Sequence, residues 1–339
     1  MSASAESLTT PTGHPERTPI STPYPTPETR HPLLQFEQVS KWYGPVLALN
    51  QVTLTLTGGI TGLVGANGAG KSTLIKLATG QIRPTIGRVT VAGLDAADWR
   101  ARRLIGYCPD HDAFYEDMTG RQFVREMARL FGYAAGEAKD RTEAVLDRVG
   151  MTATADRTVR GYSKGMRQRI KLAQALLHDP GLLILDEPLS GIDPIGRREM
   201  IEVFSALAAA GKCLLISSHE LEELEKLTSH VVLMGRGRVA AVGTLGEIRD
   251  RLDHLPARVR VETPDPFGLA KVLLDSDGVL GVDMDGSDAV IVRTKHVKPF
   301  IDGFAALVVR HHLDVRQFEP LDDSLHAILG YLLGGSGKT

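Results

Sequence analysis

Nine residues, Gly65 to Thr73 (GANGAGKST), have the spacing G-x-x-x-x-G-K-[ST] of a phosphate-binding loop. Each residue type has a job in that chemistry. The glycines Gly65, Gly68 and Gly70, with Asn67 and Ala69 between them, let backbone N–H groups turn toward phosphate oxygens, and a helix beginning at Lys71 adds the positive end of its dipole. Lys71 would reach the β- and γ-phosphates, while the Ser72 hydroxyl, next to Thr73, would take one position on Mg2+. A second Gly-Lys-Thr, Gly337 to Thr339, has Leu332 where the first loop glycine should stand, and residues 335–339 are expected to be a flexible tail.

Two further groups complete a hydrolytic set. Asp186 and Glu187 follow the apolar run Leu182–Leu185, where α/β folds place their ligands at strand ends. Asp186 suits a Mg2+ ligand, direct or through water, and Glu187 suits the base that orients an attacking water. His219 follows another apolar run, Cys213–Ser217, and opens a polar segment. Two readings stand for it: a hydrogen bond to a γ-phosphate, or a surface or capping histidine.

These side chains need a scaffold of alternating strands and helices. LLQFEQVS and VTLTLT alternate as half-buried strands, GITGLVG enters the glycine loop, and KSTLIKLATG reads as a helix closed by Gly80. The runs LLIL and CLLIS are apolar throughout, as parallel strands covered on both faces should be. Thr119 and Gln122 form a capping box ahead of Phe123, Met127 and Leu130 on one helical face, and a second helix ends at Gly150. Past residue 250 the order βαββαβ, followed by a last helix, predicts a small ferredoxin-like α+β domain. His296, His311 and His312 are read there as solvated surface. The expected division is a proline- and threonine-rich disordered tail over 1–32, an α/β P-loop NTPase domain over 33–248 with a helical subdomain about 112–175, and an accessory domain over 249–334.

Composition narrows the function. The net charge of -2 gives no global basic excess of the kind nucleic-acid binding requires, so any phosphate chemistry is local. Cys108 and Cys213 are far apart and beside apolar residues, and are expected as buried free thiols. No run approaches the roughly 20 apolar residues of a membrane-spanning helix, and the first residues lack a secretory pattern, so a cytoplasmic location is expected.

The ordered motifs GANGAGKST, GYSKGMRQR, LLILDEP, SGID and SSHE resemble the nucleotide-binding subunit of an ABC transporter over about residues 34 to 245. The resemblance implies ATP and Mg2+, a homodimer or a pairing with a related ATPase subunit, and a membrane permease on whose cytoplasmic face the chain would sit. It implies that Lys71, Glu187 and His219 are catalytic, and that Tyr43 of KWYG stacks on adenine, with Trp42 beside it as the alternative. Asp193 of SGID would lie in a loop communicating between two ATP sites. YSKGM matches the family signature, and its spelling is similar to the branch that pairs with ABC-2-type permeases, often exporters. Ser163 and the Gly165 N–H, at a helix start, would then hold the γ-phosphate bound by the other subunit; Lys164 adds a point charge there or is simply solvated. Arg167 and Arg169 are read as helix-surface charges. Asp110 stands where the family generally has glutamine, which leaves it as a water-mediated metal contact in conflict with an unneutralised γ-phosphate, and puts coupling to the permease in question. The rival is a non-transport ABC ATPase acting on nucleic acid or ribosomes, disfavoured by the neutral charge and the single nucleotide domain.

Overall fold

The computed structural model describes residues 33–219, 221–244, 247–248, 257–295 and 297–321. The tail over 1–32, His296, the last helix and the 335–339 tail lie outside the described residues.

Three sheets organise the described residues. The first is antiparallel, in the order β2-β1-β4-β5, from β1 (Leu34–Tyr43), β2 (Val46–Leu56), β4 (Ile86–Val91) and β5 (Leu94–Asp95). The second has the order β10-β9-β3-β8-β7-β6, from β3 (Gly59–Val64), β6 (Ile105–Cys108), β7 (Leu182–Leu185), β8 (Cys213–Ser218), β9 (His230–Gly235) and β10 (Arg238–Thr244). All its pairings are parallel except β9 with β10.

The apolar runs in β7 and β8 have a direct cause. Leu183 and Leu185 of β7, with Leu214 and Ile216 of β8, enter one core shared with the helices; Leu182, Ile184, Cys213 and Leu215 enter a second core shared with the first sheet. With both faces buried, neither strand has a place for a polar residue until its end. Cys108 and Cys213 are buried free thiols, each pushed up to about 12 by burial.

Helices α1 (Lys71–Ala78), α2 (Trp99–Arg102), α3 (Gly120–Leu130), α4 (Ala135–Arg148), α5 (Lys164–Leu176), α6 (Pro194–Ala209) and α7 (Leu221–Glu225) fill the intervening chain. Thr119 and Gln122 make the reciprocal capping box at α3. Leu130 corrects the sequence pattern: the buried stripe of α3 is Gly120, Phe123, Val124 and Ala128, while Leu130 in the final turn is 78% exposed. Periodicity marks a face but not where a helix outruns its neighbours.

The third sheet is antiparallel, in the order β12-β13-β11-β14, from β11 (Ala257–Glu262), β12 (Val279–Asp285), β13 (Ala289–Thr294) and β14 (Gln317–Pro320). With α8 (Pro266–Leu274) and α9 (Val297–Arg310) it has the ferredoxin-like topology. Its core joins Val259, Val261, Leu269, Leu273, Val290, Val292, Phe300 and Phe304. His311 and His312 are exposed.

Candidate active site

Strand register gathers the chemistry. β3 pairs with β8 so that Val64 faces Ser218, and β8 pairs with β7 so that Ile216 faces Leu185. The residues after each strand, from Gly65, Asp186 and His219 onward, therefore emerge side by side at one end of the sheet.

After β3 the loop packs too closely for side chains at two glycines. A Cβ on Gly65 would stand 2.4 Å from the Met234 carbonyl oxygen, and one on Gly70 would stand 2.8 Å from a Leu49 methyl at a φ of +105°. Gly70 begins α1 with no side-chain cap, so the first-turn N–H groups stay available to an anion. The tip of the β9–β10 hairpin braces the loop through Gly237 N–H, which donates to the Ala69 oxygen at 3.0 Å. Lys71 is buried, donates to the Gly65 oxygen at 2.6 Å and lies 3.7 Å from Glu187 Oε1.

Ser217 organises the acidic pair. Its Oγ donates to Asp186 Oδ1 at 2.6 Å and accepts from the Glu187 N–H at 2.9 Å. Asp186 is 8% exposed. Burial pushes its carboxyl above the usual aspartate range against the Ser217 hydrogen bond, and the neighbouring Asp110 and Glu187 charges push the same way. Glu187 takes a left-handed φ of +48°, rare for a residue with a side chain, and its Oε2 lies 2.8 Å from His219 Nδ1.

These groups line a cavity of about 670 Å³ that holds Asn67, Gly68, Ala69, Gly70, Lys71, Ser72, Thr73, Asp110, Asp186, Glu187 and His219. Val46, Leu47, Ala48, Ser190 and Arg236 also line it. Arg236 was not legible as a site residue in sequence, because its place depends on β9 lying beside β3. Ser190 begins the SGID motif quoted above, so order along the chain was its available signal. The oxygen-rich set suits Mg2+: Ser72 and buried Asp186 offer hard ligands beside two more carboxylates. Among the described residues no three His, Cys, Asp or Glu side chains form a metal cage by themselves, so phosphate oxygens would have to supply part of the shell.

Ser163, Lys164, Gly165, Asp193 and Tyr43 do not line this cavity. Ser163 caps α5, its Oγ accepting from the Met166 N–H at 3.3 Å. Lys164 is folded over Gly191, where an added Cβ would meet its Cδ at 2.9 Å, and a Cβ on Gly165 would meet Ile192 at 3.3 Å. Asp193 caps α6 by accepting from the Gly196 N–H at 3.1 Å. Tyr43 faces Val46 across the β1–β2 turn and is 45% exposed; Trp42 faces Leu47.

Arg167 and Arg169 are not simple surface charges. The Arg167 side chain is 17% exposed and reaches Glu116 at 2.7 Å and Asp112 at 3.6 Å; Arg169 pairs with Glu199 and donates to the Val149 oxygen at 2.8 Å. Lys171, one turn further, donates to the carbonyls of Pro109 and Asp110 at 2.8 and 2.9 Å. Cationic spacing along α5 looked solvent-facing because the acidic loop it grips is about 55 residues away in sequence.

A family model described as ABC transporter matches residues 49–190. The chain is 40% identical over 206 residues to an uncharacterized ABC transporter ATP-binding protein, all4389 of Nostoc sp., spanning 60% of this chain and 62% of that protein. It is 31% identical over 299 residues to the daunorubicin/doxorubicin resistance ATP-binding protein DrrA of Streptomyces peucetius, 87% of this chain and 90% of that one. A solved ATP-binding subunit of an ABC transporter superposes with a TM-score of 0.59 at 32% identity, covering 65% of this chain and 93% of that chain. Five motifs in order, a shared fold and relatives matched over most of their length place this chain in the family of ABC transporter ATP-binding proteins.

Proposed function

We propose that this chain hydrolyses ATP as one of two copies, or with a related ATPase subunit, closing around two ATP–Mg2+ and driving a separate ABC-2-type permease from the cytoplasmic face of a membrane. The observation that carries the reading is a division: the cavity gathers Lys71, Asp186, Glu187 and His219, while Ser163 and Gly165 stand at a helix start outside it. A site split this way is completed by a second copy. Among the described residues no helix is long and apolar enough to cross a membrane, which supports a separate membrane partner. The resistance function in the name of the DrrA relative supports export.

The cavity supports these roles for the residues that line it. Lys71 and the N–H groups opening α1 bind the phosphates; Tyr43, outside the lining but paired with the lining residue Val46, stacks on the base as the family resemblance implies. Ser72 and Asp186 would hold Mg2+, with Asp110 facing the same space, and bound Mg2+ would neutralise phosphate charge as the bond to the leaving oxygen breaks. Glu187 orients the water and takes its proton. Its carboxylate is now shared between Lys71 and His219. Phosphates that draw Lys71 and His219 toward themselves release Glu187 as a base, so hydrolytic competence follows substrate seating.

Glu187→Gln keeps the shape and removes the base. It is expected to trap an ATP-dependent dimer on sizing chromatography; a monomer at saturating ATP would count against the mechanism.

A further inference from the structure

Behind the strand ends lies a buried ionic group that the hydrolytic roles leave unused. Glu223, in α7, is 5% exposed; its Oε2 accepts from Ser218 Oγ at 2.9 Å and its Oε1 lies 3.1 Å from Arg197 Nη1. Arg197 stands one turn into α6, where its N–H donates to the Asp193 oxygen at 2.9 Å, and its buried Nε has no hydrogen-bond partner among the described residues. Ser218 sits between Ser217, which holds Asp186 and Glu187, and His219, which meets Glu187 at 2.8 Å. A carboxylate this buried is tolerable only while its partners stay in place. The group therefore fixes the start of α6 to the end of β8.

We propose that Arg197, Glu223 and Ser218 are positioning residues, a relay that carries the placement of the Asp193 helix start into the placement of His219 against Glu187. The inference rests on the roles given above to Asp193 and His219. If the Asp193 loop shifts against a second copy, Arg197 moves with its helix; Glu223 follows its counter-ion, and Ser218 carries the backbone of His219. Seating of the partner thereby sets the geometry of the catalytic pair, through side chains that touch neither substrate nor partner.

The test compares Mg–ATP hydrolysis by the full-length wild type with Ser218→Ala, Arg197→Gln, Glu223→Gln, the Arg197→Gln/Glu223→Gln double variant and His219→Ala. Glu223→Gln is expected to lower kcat about tenfold and Ser218→Ala about threefold, with KM for ATP held within about twofold, because the phosphate loop is untouched. The double variant should fall no further than Glu223→Gln, since groups acting as one unit are not additive. Should Glu223→Gln fail to fold, Ser218→Ala and Arg197→Gln carry the test alone. Wild-type kcat in both, or a change confined to melting temperature, overturns the relay while a low kcat in His219→Ala leaves the catalytic reading standing. Wild-type kcat in His219→Ala brings down both.

Discussion

Two helix starts in this protein have the same sequence logic and opposite states. Helix α1 begins at Gly70 with no side-chain cap and opens into the cavity; α5 begins at Ser163, whose own Oγ accepts from the Met166 N–H, and stands outside it. Both are glycine-containing N-termini suited to anions. The difference is in what satisfies the first turn. At α1 the first-turn N–H groups have no side-chain cap, and buried Lys71 rests on the Gly65 oxygen beside Glu187 at the cavity wall. At α5 the serine closes the turn as an acceptor yet keeps its O–H to donate, so one hydroxyl can cap its helix and bind a phosphate brought by another molecule. The first helix start opens into the cavity of its own chain, and the second, in the function proposed above, is completed by a second copy.

The sharpest way to break that contrast is complementation. Lys71→Met alone should cut hydrolysis by about 10²–10³-fold, the scale of losing one preorganised cationic donor. Ser163→Asp should be comparably inactive while folding normally, because aspartate caps a helix as well as serine but sets a negative charge against the phosphate. Mixing the two inactive proteins should restore activity, since one composite site is then wild type on both sides. Continued inactivity of the mixture would place both helix starts in one chain's site.

A smaller effect separates function from stability within the cavity. The Asp186 carboxyl is raised above 3.8 by burial, so the folded state binds more protons than the unfolded chain just above that pH, and stability falls as pH rises through the folded pKa. Asp186→Asn should therefore melt higher than wild type above that window, without nucleotide, while losing hydrolysis. Scanning fluorimetry from about pH 4 to about pH 8 checks the crossing. Equal melting temperatures near neutrality would mean that the charge is already compensated.

At α5, Ser163→Ala should cost about 1 kcal/mol in urea unfolding through the lost cap. Stability unchanged within error would show that the cap is made only in some molecules. The smallest effect lies just past the other end of α5. His178 stacks on Phe131 at 4.5 Å, its Nε2 lies 3.0 Å from the Ile105 oxygen, and burial lowers its pKa below 6.5. Its contribution is present above 6.5 and is lost as pH falls below it. His178→Phe keeps the stack and should flatten the acid side of the melting curve; an unchanged slope would assign that loss to other groups.

The residue types of the candidate site and much of the scaffold were legible because they answer local rules. Gly65 and Gly70 are glycine for steric reasons, Thr119 and Gln122 announce a helix start, and the unbroken apolar runs of β7 and β8 report burial on both faces. What escaped depends on contacts distant in sequence. Arg167 reads as helix-surface charge until the 109–116 loop is seen against it, Leu130 shares the face of Phe123 and Met127 by spacing alone, and Arg236 reaches the cavity only because β9 lies beside β3. The Arg197–Glu223 pair joins residues 26 apart in sequence, and nothing in either segment names the other.

By itself, then, the sequence determined the chemistry this protein carries, since spacing and residue type decide which groups can bind phosphate, hold a cation or move a proton. The tertiary structure decided which of those groups share a cavity. Strand order and register set Asp186, Glu187 and His219 beside the phosphate loop, because parallel strands bring their carboxyl ends, and the residues that follow them, to the same edge of the sheet; Ser163 follows no strand and stands outside.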